Sequence, residues 1–168
     1  LKNVIFAKKV NTHMAQYKSF LKKGKESEAQ FAKLFRDTIQ STKEQDIKDH
    51  WDVQINYKID VKSVKKTNRS DNQENQHIHW VELRNVNGNL GWLYSEKTDF
   101  FSFELNDYWV IVEKHKLQDF ISKKVEKTFE PNPTLYKLYR RSSRPYEITV
   151  LVSTIDLIYI SECLIEKT

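Results

Sequence analysis

The chain has 168 residues, of which 39% are hydrophobic and 30% are charged, and its formal net charge is +5. This length and balance fit one compact soluble domain, and no apolar run approaches the about 20 residues that span a bilayer. The N-terminus has no signal-peptide core, and the single cysteine, Cys163, excludes an intramolecular disulfide and a cysteine-based zinc site. We therefore expect an intracellular protein that lies in the cytoplasm, or in the host cytoplasm if a phage encodes it.

Hydrophobic periodicity predicts a mixture of helices and strands. In chain order the predicted elements are a helix at 12–24, a helix at 26–41, strands at 50–55, 57–64, 77–86, 90–94 and 107–113, a helix at 115–125, strands at 135–141 and 146–152, and a helix at 153–167. Gly24 is expected to end the first helix, and a tight turn near Asn56 joins the first two strands. Ser153 or Thr154 is expected to cap the last helix, in which Cys163 reads as a buried apolar residue.

This order of elements predicts an α/β (α+β) fold with one central mixed β-sheet flanked by helices. We see no internal repeat, no low-complexity segment and no interdomain linker in the sequence. The chain is therefore predicted to be a single domain over residues 1–168, with a basic helical N-terminal segment over about 1–24.

Positive charge is concentrated in two places. Residues 1–25 contain seven lysines and no acidic residue, and three arginines lie in the sequence LYRRSSRP. Clusters of this kind favour polyanions such as nucleic acids, although they also serve solubility. The candidate phosphate contacts are Lys22, Lys23, Lys25, Arg140, Arg141 and Arg144.

Two aspartates and a lysine converge in the predicted hairpin of residues 50–64. Side chains two apart on a strand share a face, so Asp60 and Lys62 point the same way. A three-residue turn would pair Gln54 with Lys58, which sets Asp52 beside Asp60; a one-residue slip would separate them. Two adjacent carboxylates repel unless a cation lies between them, and Mg²⁺ prefers such oxygen ligands. A solvated hairpin face with alternating charges is the competing interpretation.

Glu28 interrupts an otherwise apolar stripe of its predicted helix. The stripe contains Ala32, Phe35 and Ile39, so it should face the core, and a buried carboxylate needs a partner. A first-turn acid that favours the helix dipole is the alternative role for Glu28.

These residues resemble the motif of the PD-(D/E)XK nuclease superfamily, which has a glutamate in a helix, then an aspartate, then Asp/Glu-x-Lys on adjacent strands. Glu28, Asp52 and the tripeptide Asp60-Val61-Lys62 match it over about 35 residues. Trp51 stands where the superfamily often has proline, and position 60 holds aspartate where glutamate is commoner. Neither departure removes a metal ligand.

The resemblance implies a restriction-endonuclease-like core and an Mg²⁺-dependent endonuclease that hydrolyses DNA, from a phage or a mobile element. Its metal ligands would be Glu28, Asp52, Asp60 and the Val61 carbonyl, and Mn²⁺ is expected to substitute for Mg²⁺. Lys62 would orient the attacking water or neutralise charge in the transition state.

Three further residues and two other functions stay open. Glu82 shares its strand face with Trp80 and is an accessory candidate, either as a metal-water ligand or as a partner of Lys62. His77 and His79 have strand spacing, but no third zinc ligand accompanies them. An inactive nucleic-acid-binding module on the same fold, or an interaction domain whose charges are only solvated, would fit the same pattern. RNA as a partner and a homodimer also stay open.

Overall fold

The computed structural model describes residues 21–35, 38–67 and 71–167. Within them the protein is a mixed α/β fold with four α-helices and ten strands, and the strands form two mixed sheets. None of the helices in these residues is long and apolar enough to cross a membrane.

Sheet A holds six strands. Their spatial order is β1 (Ile39–Gln40), β2 (Val53–Gln54), β3 (Lys58–Lys62), β5 (Phe100–Glu104), β6 (Tyr108–Glu113) and β10 (Cys163–Glu166). Neighbouring strands are antiparallel except β3 and β5, which are parallel. The parallel pair is possible because the chain leaves sheet A after β3 and returns only at β5, since parallel strands need a long crossover.

Sheet B is built mainly from the crossover and from the C-terminal third of the chain. Its spatial order is β4 (Ile78–Arg84), β9 (Ile148–Ser153), β8 (Lys137–Tyr139) and β7 (Glu126–Glu130). The prediction of one central sheet is therefore wrong. Strand β4 pairs with β9 instead of joining the hairpin that precedes it, and no local pattern marks a pairing over such a distance in sequence.

The helices cover the sheets and the connections between them. They are α1 (residues 21–32), α2 (Lys43–Asp49), α3 (Lys114–Lys124) and α4 (Thr154–Ile160), with a 3₁₀ helix η1 at Trp92–Tyr94. Thr42 and Gln45 form a reciprocal capping box at the start of α2, which therefore forms although it buries none of its residues. Ser153 caps α4, as predicted, by accepting a hydrogen bond from the Ile155 N–H.

Two apolar clusters hold these layers together. One lies between α1 and sheet A and contains Phe31, Val53, Ile59, Val61, Trp109 and Ile111. The other lies on the opposite face of sheet A, against sheet B, α3 and α4, and contains Phe101, Phe103, Val110 and Val112. Alternate residues of β6 thus belong to opposite clusters, as the two-residue period of a strand requires. Both faces of sheet A are covered.

Five local predictions differ from the structure. Residues 21–32 are one helix that continues through Gly24, so the predicted stop there is wrong, and residues 39–40 are a strand. Residues 92–94 form η1 and not a strand. The last helix ends at Ile160, because the next residues are extended and the Glu162 N–H bonds to Ile111 O in sheet A. Cys163 therefore lies exposed on β10 and is not buried.

Candidate active site

The β2–β3 hairpin places the two predicted aspartates side by side. Gln54 pairs with Lys58 and Val53 with Ile59, so the predicted register is confirmed. The paired register ends at Val53, and the Asp52 N–H donates to Ile59 O at 2.8 Å, which keeps Asp52 against β3 beside Asp60. The predicted alternation also holds, since Ile59 and Val61 belong to the cluster under α1. Asp60, which alternates with them in β3, therefore points away from α1 and toward the space beside sheet B.

Both aspartates are buried, at 6% exposure for Asp52 and 3% for Asp60. The solvated-hairpin interpretation is therefore wrong at these two positions. The Asp52 carboxylate accepts a hydrogen bond from the Val61 N–H at 2.7 Å, and one Asp60 oxygen accepts from Lys62 Nζ at 2.5 Å. The other Asp60 oxygen, Oδ2, is buried without a hydrogen-bond donor.

Burial of these carboxylates makes their ionisation unfavourable. Burial raises the pKa of Asp52 to about 7, and the charge of Asp60 acts in the same direction, against Lys62 and the Val61 N–H. Burial also raises the pKa of Asp60, while the positive charge of Lys62 opposes the rise. Without a cation, ionisation of both carboxyls at once is therefore unfavourable.

Lys62 is held between an acid and an aromatic ring. Its Nζ lies 4.4 Å from the centroid of the Trp92 ring while it bonds Asp60. Trp92 begins η1, and its N–H donates to Glu82 Oε1 at 3.3 Å. Gly91 precedes it, and a Cβ there would overlap the carbonyl oxygen of Glu82. Glu82 therefore contributes to the site by fixing the turn that carries the Trp92 ring.

Glu82 also lies within electrostatic reach of the lysine. Burial raises the pKa of Glu82, and the Trp92 N–H and the positive charge of Lys62 oppose the rise. The positive charge of Lys65 also opposes the rise in the pKa of Glu82, by less than that of Lys62. Both predicted roles of Glu82, as a ligand of a metal-bound water and as a partner of Lys62, stay predictions.

Glu28 lies near the aspartates but faces a lysine. Its Oε2 accepts from Lys25 Nζ at 2.8 Å, and the same ammonium contacts Asp46 Oδ2 on α2 at 3.1 Å. Burial raises the pKa of Glu28, and the negative charge of Asp52 is the next cause. The Glu28 carboxylate is therefore close enough to the hairpin for the charge of Asp52 to affect its pKa. Asp46 was not predicted, although the Thr42-x-x-Gln45 capping pattern marks its helix.

Glu104 fixes α1 against sheet A. Its carboxylate accepts from Ser27 Oγ at 2.7 Å and from the Val64 N–H at 3.3 Å, and its other oxygen bonds Lys167 Nζ at 2.8 Å. Glu104, Ser27 and the Lys167 side chain are all largely buried. This group ties α1, the residues after β3 and the C-terminal segment to one point. It was not predicted, because Glu104 ends a strand whose sequence gives no sign of three buried partners.

Most of the predicted basic contacts are paired with acids. The observed pairs are Lys22–Glu26, Lys23–Glu74, Lys25–Glu28, Lys25–Asp46 and Arg144–Glu147. The Arg140 guanidinium lies 4.5 Å from the Phe129 ring centroid. Most of the predicted basic helical segment over about 1–24, with four of the seven lysines counted there, lies outside the described residues. Arg141 is the member of the predicted set with no such contact within the described residues.

The two histidines do not form a pair. His77 is exposed and precedes β4, whereas His79 is 4% exposed and packs against Phe103 at 5.1 Å between ring centroids. Burial lowers the pKa of His79 to about 4. His79 is therefore neutral at physiological pH and belongs to the packed interior.

The acidic pair fits a divalent cation, although the side chains are not arranged as a closed site. Among the described residues, no group of three or more His, Cys, Asp or Glu side chains is placed to hold a metal ion. The hard oxygen ligands of Asp52 and Asp60 suit Mg²⁺, which keeps several waters and needs one or two carboxylates. The buried, donor-free Asp60 Oδ2 is a position where a cation would satisfy an otherwise unpaired oxygen.

Comparison with other proteins does not assign a family. No family model, no curated protein and no solved structure matches this chain.

Proposed function

We propose that this protein is a metal-dependent endonuclease that hydrolyses phosphodiester bonds in DNA, on a restriction-endonuclease-like core. The observation that carries the proposal is the buried Asp52–Asp60 pair with Lys62 bonded to it. The order of a helix with Glu28, a strand preceded by Asp52 and an adjacent strand with Asp60-Val61-Lys62 supports it further. A buried pair of like charges raises the free energy of the folded protein, so its presence calls for a functional reason.

In this proposal Asp52, Asp60 and the Val61 carbonyl would hold Mg²⁺, and Glu28, now bonded to Lys25, would be the further ligand. When bound, Mg²⁺ supplies a Lewis acid that polarises the phosphate and lowers the pKa of a water. The Lys62 ammonium, which bonds Asp60, lies beside these ligands and would stabilise the negative charge that develops on the phosphoryl oxygens. The Trp92 ring restricts where that ammonium can lie. Water oxygen adds to phosphorus as the bond from phosphorus to one deoxyribose oxygen breaks. The water loses one proton and the leaving oxygen takes one up, which gives a phosphate monoester and a hydroxyl group.

The test is cleavage of plasmid DNA with Mg²⁺ or Mn²⁺, compared with EDTA. Asp60→Asn removes the charge but little volume, so it should abolish cleavage and leave the fold intact. Asp99→Asn is a matched control on the edge of the hairpin, since the exposed Asp99 accepts the Lys58 N–H at 2.8 Å and asparagine can do the same. Circular dichroism and thermal melts of both variants establish that they are folded.

Undiminished cleavage by Asp60→Asn, in a preparation free of wild-type protein, would contradict the proposal. DNA binding by the wild type without any metal-dependent cleavage would favour the inactive binding module instead. An absence of both would favour an interaction domain.

A further inference from the structure

One face of sheet B combines aromatic rings and polar groups beside the candidate site. Residues that pair directly across antiparallel strands share a face, so the partners Trp80–Leu151, Glu82–Thr149 and Tyr139–Thr149 place five side chains on one side. The opposite side contains Val81, Val150 and Val152, which are in the core. We call the side with Trp80, Glu82, Tyr139 and Thr149 the sheet-B face. Because Glu82 bonds the Trp92 N–H and Trp92 contacts Lys62, this face borders the Asp60–Lys62 pair.

Two half-buried rings form the aromatic part of this face. The ring centroids of Trp80 and Tyr139 are 5.7 Å apart with an interplanar angle of 45°. The Trp80 Nε1–H donates to the Lys66 carbonyl at 3.4 Å, so the segment that follows β3 runs along the edge of the indole. The indole therefore contacts the segment that follows β3, a few residues beyond Lys62 in the chain.

The cations around these rings are not neutralised. Within residues 21–35, 38–67 and 71–167, neither Lys65, Lys66 nor Arg141 has a carboxylate within ion-pair distance. Arg141 lies two residues after Tyr139. Lys65 is exposed as a residue, but partial desolvation of its ammonium lowers the pKa of Lys65, and the positive charges of Lys62 and Arg141 act in the same direction, against Asp60 and Glu82. A phosphate beside Lys65 would reverse this effect and favour its charged form.

The nearby acids, in contrast, are engaged. Glu147 bonds Arg144 at 3.0 Å, Glu130 lies 3.7 Å from Lys137, and Glu82 accepts the Trp92 N–H. The hydrogen bond to Glu82 does not remove its charge, but Lys65, Lys66 and Arg141 outnumber it, which leaves this region with a positive potential. Such a region complements a chain of phosphates.

We propose that the sheet-B face and its flanking cations bind one nucleic-acid strand, with a base stacked on the Trp80–Tyr139 pair and phosphates at Lys65, Lys66 and Arg141. The inference deepens the proposed function, on which it rests, by naming the substrate as a strand with unpaired bases next to the cleavage point. Stacking needs an exposed base face, which a duplex does not offer, and it favours no particular sequence. The paired residues Lys22, Lys23, Lys25 and Arg144 are not part of this surface.

Binding is measured in EDTA, so that cleavage plays no part, with a fluorescein-labelled oligothymidylate and with a blunt duplex of the same length. The test variant is Lys65→Gln/Arg141→Gln. The control is Lys33→Gln/Lys127→Gln, which removes the same charge at two exposed positions that have no ion pair among the described residues. We expect the test variant to weaken oligothymidylate binding by about tenfold or more and to reduce the salt slope by between one and two. The control should bind within about twofold of wild type.

Tryptophan fluorescence tests the stacking separately. The chain has four tryptophans, and Trp51 and Trp109 are at most 2% exposed, so Trp80 and Trp92 are the two that a base can reach. Oligothymidylate should quench the wild type and Trp92→Phe but not Trp80→Phe. Melting temperatures near wild type establish that the phenylalanine variants are folded.

Unchanged affinity and salt slope in Lys65→Gln/Arg141→Gln would overturn the surface, and quenching retained in Trp80→Phe, or binding of the duplex alone, would overturn the single-strand assignment. Either result leaves cleavage by the wild type, and hence the proposed function, intact. Conversely, a wild type that binds oligothymidylate as predicted but never cleaves DNA would overturn the nuclease and keep the surface.

Discussion

The clearest physical prediction concerns Asp52, whose negative charge is unfavourable in the folded protein without metal. Asp52→Asn removes the charge and keeps an oxygen that can accept the hydrogen bond from the Val61 N–H, which is 2.7 Å long. In EDTA at about pH 8, the variant should be more stable than the wild type. With Mg²⁺ the order should reverse, because a ligand that binds only the folded wild type stabilises it by mass action.

The magnitude follows from the raised pKa. The carboxyl has an ordinary pKa of 3.8 and a folded pKa of about 7. At pH values where Asp52 is ionised in both the folded and the unfolded state, this difference in pKa lowers the free energy of unfolding by about 4 kcal/mol, at about 1.4 kcal/mol for each pKa unit. If the buried NH₂ group of the asparagine finds no acceptor, the folded variant loses about 1–3 kcal/mol of stability. We therefore expect a net gain of about 1–3 kcal/mol in the free energy of unfolding at about pH 8.

The dependence on pH has a definite sign. A carboxyl whose folded pKa lies above its unfolded pKa takes up a proton on folding. Its contribution to stability is therefore favourable at low pH and falls as the pH rises from about 4 through about 7. The metal-free wild type should lose stability over this interval, and Asp52→Asn should show a shallower slope.

The assay is urea unfolding in EDTA at several pH values between about 5 and about 8. Asp107→Asn serves as the control, because Asp107 is exposed and the same change there should leave the slope unaltered. If Asp52→Asn kept the wild-type slope, or were less stable than the wild type at about pH 8, the electrostatic account of the hairpin would be refuted.

Three other substitutions test the supports of the site. Glu28→Gln should reduce cleavage and shrink the rise in melting temperature with Mg²⁺; if Glu28 is only a helix acid, the variant stays fully active and loses at most ~1 kcal/mol in urea unfolding. Gly91→Ala should lower the unfolding free energy by about 1–3 kcal/mol, because the added Cβ meets the backbone of Glu82; an unchanged urea midpoint would contradict the close packing. Glu104→Gln should destabilise by about 3 kcal/mol, because it leaves the buried Lys167 ammonium without its charge partner; a loss under about 1 kcal/mol would contradict the role of this ion pair.

The local part of the site could be predicted from the sequence. Strand alternation and turn length determine the register of the hairpin, so the pairing of Gln54 with Lys58 followed from residues 50–64 alone. The misfit of Glu28 on an apolar stripe likewise indicated a position near the hairpin. These signals are local because the side-chain period of a strand or a helix is determined by backbone geometry.

The rest depends on contacts between distant residues. Trp80 pairs with Leu151 across sheet B, and Lys23 pairs with Glu74, and neither contact leaves a mark in the surrounding sequence. The N-terminal lysines appeared unopposed because their acidic partners all lie after residue 25. Glu26 and Glu28 follow within a turn of helix, whereas Asp46 and Glu74 are distant in sequence. Composition reports charge along a chain, whereas function depends on which charges the fold leaves unpaired.

The placement of the aspartates in the hairpin also affects the kinetics of folding. Asp52 and Asp60 belong to a local contact of low loop-closure entropy, whereas β3 meets β5 only through pairs such as Asp60 with Phe101. The hairpin can therefore form while its carboxylates are still hydrated, and the carboxylates lose their hydration only when β5 docks later. An unfavourable interaction that forms after the transition state mainly raises the unfolding rate. Deprotonation of the pair should then chiefly accelerate unfolding in EDTA and leave the refolding rate nearly constant, which stopped-flow measurements on either side of neutral pH would reveal.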